Sequence, residues 1–226
     1  MENTRGQPHL FRRYLLLLAG LTVMAFGIAF AVRSDLGTTS ISSLPYVLSL
    51  TTPLTLGTHT ILMNAAFLLA QVLILRRRFP PLQVLQLPVV LLFGLLNDVA
   101  VWLLRDLSYS AYWQQWVLGL IGITCVGIGV ACSVTSQTVM LSGDALVLTI
   151  TNELTRWLGA RRYLVFGYAK MVFDSLLVLS AAVLSAMALH ELVGVREGTV
   201  AAALLIGMVA KQVIPLLKPL QRRWLD

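Results

Sequence analysis

The sequence predicts an all-α fold: a polytopic membrane helix bundle of about six transmembrane helices in two inverted three-helix repeats, each with a short broken or re-entrant helix. Three observations lead there. Hydrophobic residues make up 58% of the 226 residues and charged residues only 12%, with a mean hydropathy of +0.82, so too little polar side chain exists to coat a water-facing globule. The apolar residues gather into long runs. The chain also matches itself when slid by 102 residues, Gly20 onto Gly122. This composition excludes a disordered chain, a nucleic-acid-binding domain with a polar surface and a secreted disulfide scaffold.

A bilayer core about 30 Å thick needs about 20 apolar residues of helix. Runs near 14–32, 58–75, 84–104, 114–133, 163–186 and 198–217 meet that test. The first follows Arg12 and Arg13 and contains Ala29-Phe30-Ala31, which raises a signal peptide as an alternative. Its apolar stretch is too long for that, and a second copy of it lies in the chain interior.

The formal charge of +7 and pI near 9.9 would point a soluble protein toward nucleic acid. Here the cations flank the apolar runs. With the amino terminus in the cytoplasm, twelve Lys/Arg fall inside: Arg5, Arg12, Arg13, Arg76, Arg77, Arg78, Arg156, Arg161, Arg162, Lys218, Arg222 and Arg223. Three fall outside (Arg33, Arg105, Arg196), and Lys170 and Lys211 lie within runs. The positive-inside rule therefore puts both termini in the cytoplasm. Tyr109, Tyr112, Trp113 and Trp116 form an outer aromatic belt, and Trp157 and Trp224 mark the inner interface. Cys125 and Cys132, seven residues apart on one expected helix, stand about 10 Å apart along its axis, too far for a disulfide.

The repeat sets Gly20, Thr22, Gly27, Ala29, Val32, Ser34, Ser40, Leu44, Leu56, Gly57 and Leu62 on Gly122, Thr124, Gly129, Ala131, Val134, Ser136, Ser142, Leu146, Leu158, Gly159 and Leu164. A longer second hinge then lays Gly94 on Gly207. The expected boundaries within one membrane domain are about 12–104 and 114–217. Three spans per copy force the second copy to enter the membrane upside down. Such inverted repeats place a site near the midplane where the halves meet; the plain alternative is a duplicated unit that makes a stable bundle with no pathway.

Two stretches are too apolar for loops and too broken for spans: 36–57, with Ser40, Ser42 and Pro45, and 136–157, with Ser142 and Asp144. Irregular backbone at membrane depth survives only where protein buries it or water reaches it. Ser43 and Asp144 are the expected caps of the short helices. The functional alternative makes both elements walls of a polar vestibule.

A charge in hydrocarbon costs about 2.5 kcal/mol or more, so each one faces protein or water. Lys170 and Asp174 are four apart and pair on one helical face. Asn97 and Asp98 sit in the third span, Asn64 in the second, and Lys211 in the sixth at the place matching Asp98. The expected substrate-binding set is Asp98, Lys170, Asp174, Lys211, Asn97, Asn64, Ser40, Ser42, Ser142 and Asp144, with Asp98 facing Lys211 across the pseudo-two-fold axis. Structural ion bridges, and snorkelling for Lys211, are the plainer alternatives.

There is no Walker loop, HExxH, CxxC or Gly-x-Ser-x-Gly, and His9, His59 and His190 are scattered. No enzyme, cofactor or metal is therefore expected.

The residues Phe26-Gly27-Ile28-Ala29-Phe30 and Ala31-Val32-Arg33-Ser34-Asp35-Leu36-Gly37, with a polar stretch behind them and Gly57 beyond, resemble the YczE and YitT-like family of bacterial integral membrane proteins. The resemblance covers most of the chain and implies a bacterial inner-membrane protein of five or six spans with no assigned activity. Gln137-Thr138-Val139 stands in the second copy where Asp35-Leu36-Gly37 stands in the first. The functional expectation is a small-solute transporter or permease; its rival is a non-transporting accessory or binding subunit. Expected partners are the lipid bilayer and a small solute or proton, without nucleic acid, and self-association into a homo-oligomer is left open.

Overall fold

The computed structural model describes residues 10–158 and 166–224. Arg5, His9, Gly159, Arg161, Arg162 and Leu164 lie outside the described residues, as do the side chains of Arg222, Arg223 and Trp224. The described elements are helical: α1 (Leu10–Ser34), α2 (Ser40–Thr51), α3 (Leu56–Leu75), α4 (Gln86–Leu103), α5 (Tyr112–Ser136), α6 (Ser142–Leu158), α7 (Phe166–Leu189) and α8 (Glu197–Trp224). Two short 3-10 turns at Arg76–Arg78 and Pro81–Leu85 join α3 to α4. Six of the helices are long and apolar enough to cross a membrane. The chain is a multi-pass membrane protein.

Helices α1 and α5 cross at the centre, and the sequence explains how they come so close. Gly20 and Gly27 lie two turns apart on one face of α1, and Gly122 and Gly129 do the same on α5. A Cβ on Gly20 would stand 2.9 Å from the Gly129 carbonyl oxygen, and one on Gly129 would stand 2.6 Å from that of Gly20. Gly27 and Gly122 block each other equally, at 2.8 Å in both directions. The two helices are therefore antiparallel, with backbone resting on backbone, as small residues permit inside a bilayer. Exchanging the halves turns the Gly20–Gly129 contact into Gly122–Gly27, the reciprocity that an inverted repeat demands.

Around this axis each half lends its short helix to the other. Helix α2 packs on α7 and α6 packs on α3, while α4 lies along α1 and α8 along α5. Leu17, Leu21, Met24, Ala25, Ile28, Ala29 and Val32 of α1 form the core with Val89, Phe93 and Ala100 of α4 and Val126 of α5. Outside it, large side chains such as Leu73, Leu95, Val172, Met187 and Leu204 are exposed around the bundle, where acyl chains replace a protein partner.

Pro45, in the stretch expected to hold a short broken helix, does not end it: α2 runs through it from Ser40 to Thr51. Pro215 and Pro219 likewise lie inside α8. A proline removes one donor and strains one turn, which neighbouring helices tolerate in a membrane bundle. Asp35 and Gln137, repeat mates that differ chemically, end α1 and α5 in the same left-handed conformation, with φ of 55° and 51°. Backbone symmetry has outlived the sequence change. Cys125 and Cys132 are free thiols.

Candidate functional site

Polar groups collect at both ends of the bundle, and the ends differ. At the end carrying Arg76–Arg78, the amides of Gln71 and Gln86, 0% and 2% exposed, bond each other at 3.4 and 3.5 Å. Gln71 Nε2 also donates to the Ser142 carbonyl oxygen at 3.1 Å, fixing the start of α6 against α3. The Ser142 hydroxyl is buried and has no partner among the described residues. Beside it Lys170 of α7 lies between two carboxylates, 2.7 Å from Asp174 and 3.1 Å from Asp144. Its Nζ is also 5.8 Å from the Phe173 ring centroid, and Phe173 meets Phe67 of α3 edge to face at 5.2 Å. The cation and aromatic edge tie α6, α7 and α3 together.

Asp144 was expected as a helix cap. It does lie in the first turn of α6, where the helix dipole favours an anion, but its carboxylate reaches the ammonium of a second helix. The spacing of Lys170 and Asp174 is legible in the sequence, whereas the third member depends on how α6 docks.

Asp98 does not face Lys211. Its Oδ1 accepts from the Gly57 backbone N–H at 2.7 Å and its Oδ2 from the Thr55 hydroxyl at 2.7 Å. Thr55 Oγ1 in turn accepts from Thr58 N–H at 3.1 Å. The orphan N–H groups at the start of α3 and the positive end of its dipole hold this carboxylate. Lys211 is exposed on α8 and has no ion-pair partner among the described residues, as a snorkelling lysine would be. Ser43 also departs from its expected place: its hydroxyl donates back to the Ser40 carbonyl oxygen at 2.7 Å, and Thr39 is the residue before α2. Ser42 accepts from the Thr39 hydroxyl at 3.0 Å. Ser40, Ser42 and Ser43 are buried, so they pack the bundle and do not line an open vestibule. Asn64 is buried and donates to Thr60 O at 2.8 Å, within its own helix. Asn97 is 1% exposed, and both its amide atoms lack a partner among the described residues.

At the opposite end lies a cavity of about 280 Å³, bounded by the end of α1, by α2 and by the connections before α5 and α8. Its polar lining is Asp35, Thr38, Tyr46, Tyr109, Glu191 and Arg196. Tyr109 donates its hydroxyl to Asp35 Oδ2 at 2.5 Å, and this bond raises the phenol's pKa above its usual value. Arg196 donates to the Asp35 carbonyl oxygen at 3.1 Å. Two glycines make the wall possible. Gly37 and Gly194 have φ of +100° and +79°, a region closed to most side chains, and the Thr38 N–H donates to Gly194 O at 3.1 Å. This stitches the α1–α2 connection to the α7–α8 connection.

Sequence reasoning missed this cavity because its residues come from four separate segments. Arg33 and Arg196 read only as outward cations, and Asp35-Leu36-Gly37 only as a turn. Gln71 and Gln86 carried a usable signal, two amides in apolar runs, that was not taken up. Among the described residues no group of three His, Cys, Asp or Glu side chains is placed to hold a metal ion.

The fold and these polar ends define an α-helical multi-pass membrane protein built on crossed, antiparallel helix triplets. The chain belongs to a family of unknown function, DUF6198, whose family model matches residues 11–215. Neither a curated protein nor a solved structure matches the chain. The likeness to YczE and YitT-like proteins stands as a resemblance.

Proposed function

We propose that this protein is a small-solute transporter of the bacterial inner membrane, with its arginine-rich end in the cytoplasm, and that it catalyses no chemical reaction. One observation carries the reading. A scaffold with reciprocal halves has unlike ends: an open polar cavity at one, and at the other an interlock of Gln71, Gln86 and the Asp144–Lys170–Asp174 ions. In an inverted repeat each end can take the geometry of its counterpart, so open and closed ends in one molecule describe one state of an alternating pathway. Burial of an unpartnered Asn97 amide and Ser142 hydroxyl supports the same reading, since such groups are costly unless another state supplies their partner. Lys170 is the group best placed to open the closed end, because protonation of one carboxylate or arrival of a charged solute would release it.

The test is efflux from proteoliposomes holding purified protein and a defined mixture of amines, amino acids, carboxylates and sugars. Protein-dependent loss of at least one component is expected, and Lys170→Met should reduce it at least tenfold. If folded protein leaves every component inside, transport is overturned and the accessory-subunit reading takes its place.

A further inference from the structure

We infer that the open cavity is a binding site for a small organic ammonium cation; this deepens the transport reading and rests on it for the consequence of binding, though not for binding itself. The volume of about 280 Å³ is too large for one water, whose share of the liquid is about 30 Å³, and suits a small metabolite. Charge selects the sign of the ligand. The charged residues of the lining are Asp35 and Glu191 against Arg196, two against one, a net charge of −1. Arg105 and Asp106, on the neighbouring connection, pair with each other at 3.5 Å.

The cation of the lining is already committed. Arg196 pairs with Glu197 at 3.6 Å and bonds the Asp35 backbone; Arg33 lies outside the lining and turns one terminal nitrogen to the Val101 carbonyl oxygen at 3.5 Å. The anions are not. Tyr109 bonds one oxygen of Asp35, leaving the other open, and the Glu191 carboxylate has no ion-pair partner among the described residues. Tyr46 and Tyr109 add two aromatic rings to the same lining. Rings and uncompensated carboxylates together are how proteins hold alkylammonium groups, through the negative ring face and direct charge attraction. A bare metal ion would want six or more oxygen ligands or clustered nitrogen and sulfur donors, whereas aromatic walls favour an ion with an organic surface.

The experiment is thermal unfolding of the full-length detergent-solubilised protein, titrated with tetramethylammonium chloride and compared with sodium chloride at equal ionic strength. A saturable rise in Tm with tetramethylammonium and none with sodium is expected, since a ligand that binds only the folded state raises the melting point. Asp35→Asn keeps a side chain suited to the left-handed turn and an acceptor for Tyr109, and Glu191→Gln changes an exposed residue. The two together should weaken the apparent affinity at least tenfold. Absence of a saturable rise, an equal rise with sodium, or a rise unchanged in the double variant overturns the inference. So does a saturable rise with sodium propionate, which would make Arg196 the recognising group. The two proposals fail separately: tetramethylammonium binding without efflux of any component overturns transport alone, whereas efflux of other solutes without tetramethylammonium binding overturns the ammonium site alone.

Discussion

The same three-helix unit is sealed differently in the two halves. In the first, α3 and α4 lie backbone against backbone: a Cβ on Gly94 would come 2.8 Å from the Gly57 carbonyl oxygen, and Asp98 bridges to the start of α3. In the second, α7 and α8 make no comparable packing. Gly207, the mate of Gly94, has nothing among the described residues within 4 Å of where its Cβ would sit. Duplication thus fixed the central α1–α5 crossing in both copies and left the flanks free to diverge. The tight flank carries a cap; the loose flank carries the ion pair of Lys170 and Asp174.

The largest expected effect lies at the axis both halves share. Gly27→Val and Gly129→Val each drive a side chain into opposing backbone, and each should cost about 3 kcal/mol or more. Similar losses of Tm for the two variants would support the two-fold relation; a mild effect of one alone would break it. Next, Gly94→Ala should cost about 2 kcal/mol through overpacking, whereas Gly207→Ala should be neutral or gain up to about 1 kcal/mol from helix propensity. Denaturant unfolding of both in detergent checks the contrast between flanks, and equal losses would refute it.

Removing the cation from the loose flank comes third. Lys170→Met leaves Asp144 and Asp174 facing each other, and since all three side chains are partly exposed the cost should be about 1–2 kcal/mol, below that of a fully buried pair. Adding Asp174→Asn should recover most of it. Asp98→Ala removes a cap and should lower stability by about 1 kcal/mol while leaving efflux intact, the reverse of what a substrate group would do. The smallest effect concerns pH. The raised pKa of Tyr109 means its bond to Asp35 stabilises the fold below the phenol's ordinary range, and that contribution is lost as pH rises through the folded-state value. The Tm difference between wild type and Tyr109→Phe should therefore shrink toward zero in the alkaline range; a difference that grows with pH would refute the bond.

The candidate sites were legible in proportion to how local they are. Lys170 and Asp174 are one helical turn apart, so spacing alone joins them. Asp144 lies on a different helix from Lys170, and only the docking of α6 on α7 adds it. Asp98 misled for a related reason: a carboxylate in an apolar run reads as functional until the neighbouring helix start that it caps is seen. The cavity was least legible, because Asp35, Tyr109 and Glu191 come from different connections and Tyr46 from α2, and no periodicity relates them.

The sequence by itself determined the membrane class, the six long helices and the reciprocity of the halves. Hydropathy and glycine spacing are properties of the chain read along its length, and a bilayer leaves helix as the form in which an apolar run can satisfy its own backbone. Tertiary structure decided which polar groups meet. A carboxylate at one position can cap a helix, pair with a lysine or line a cavity, and the choice depends on which partner lies within about 3 Å once the helices have packed.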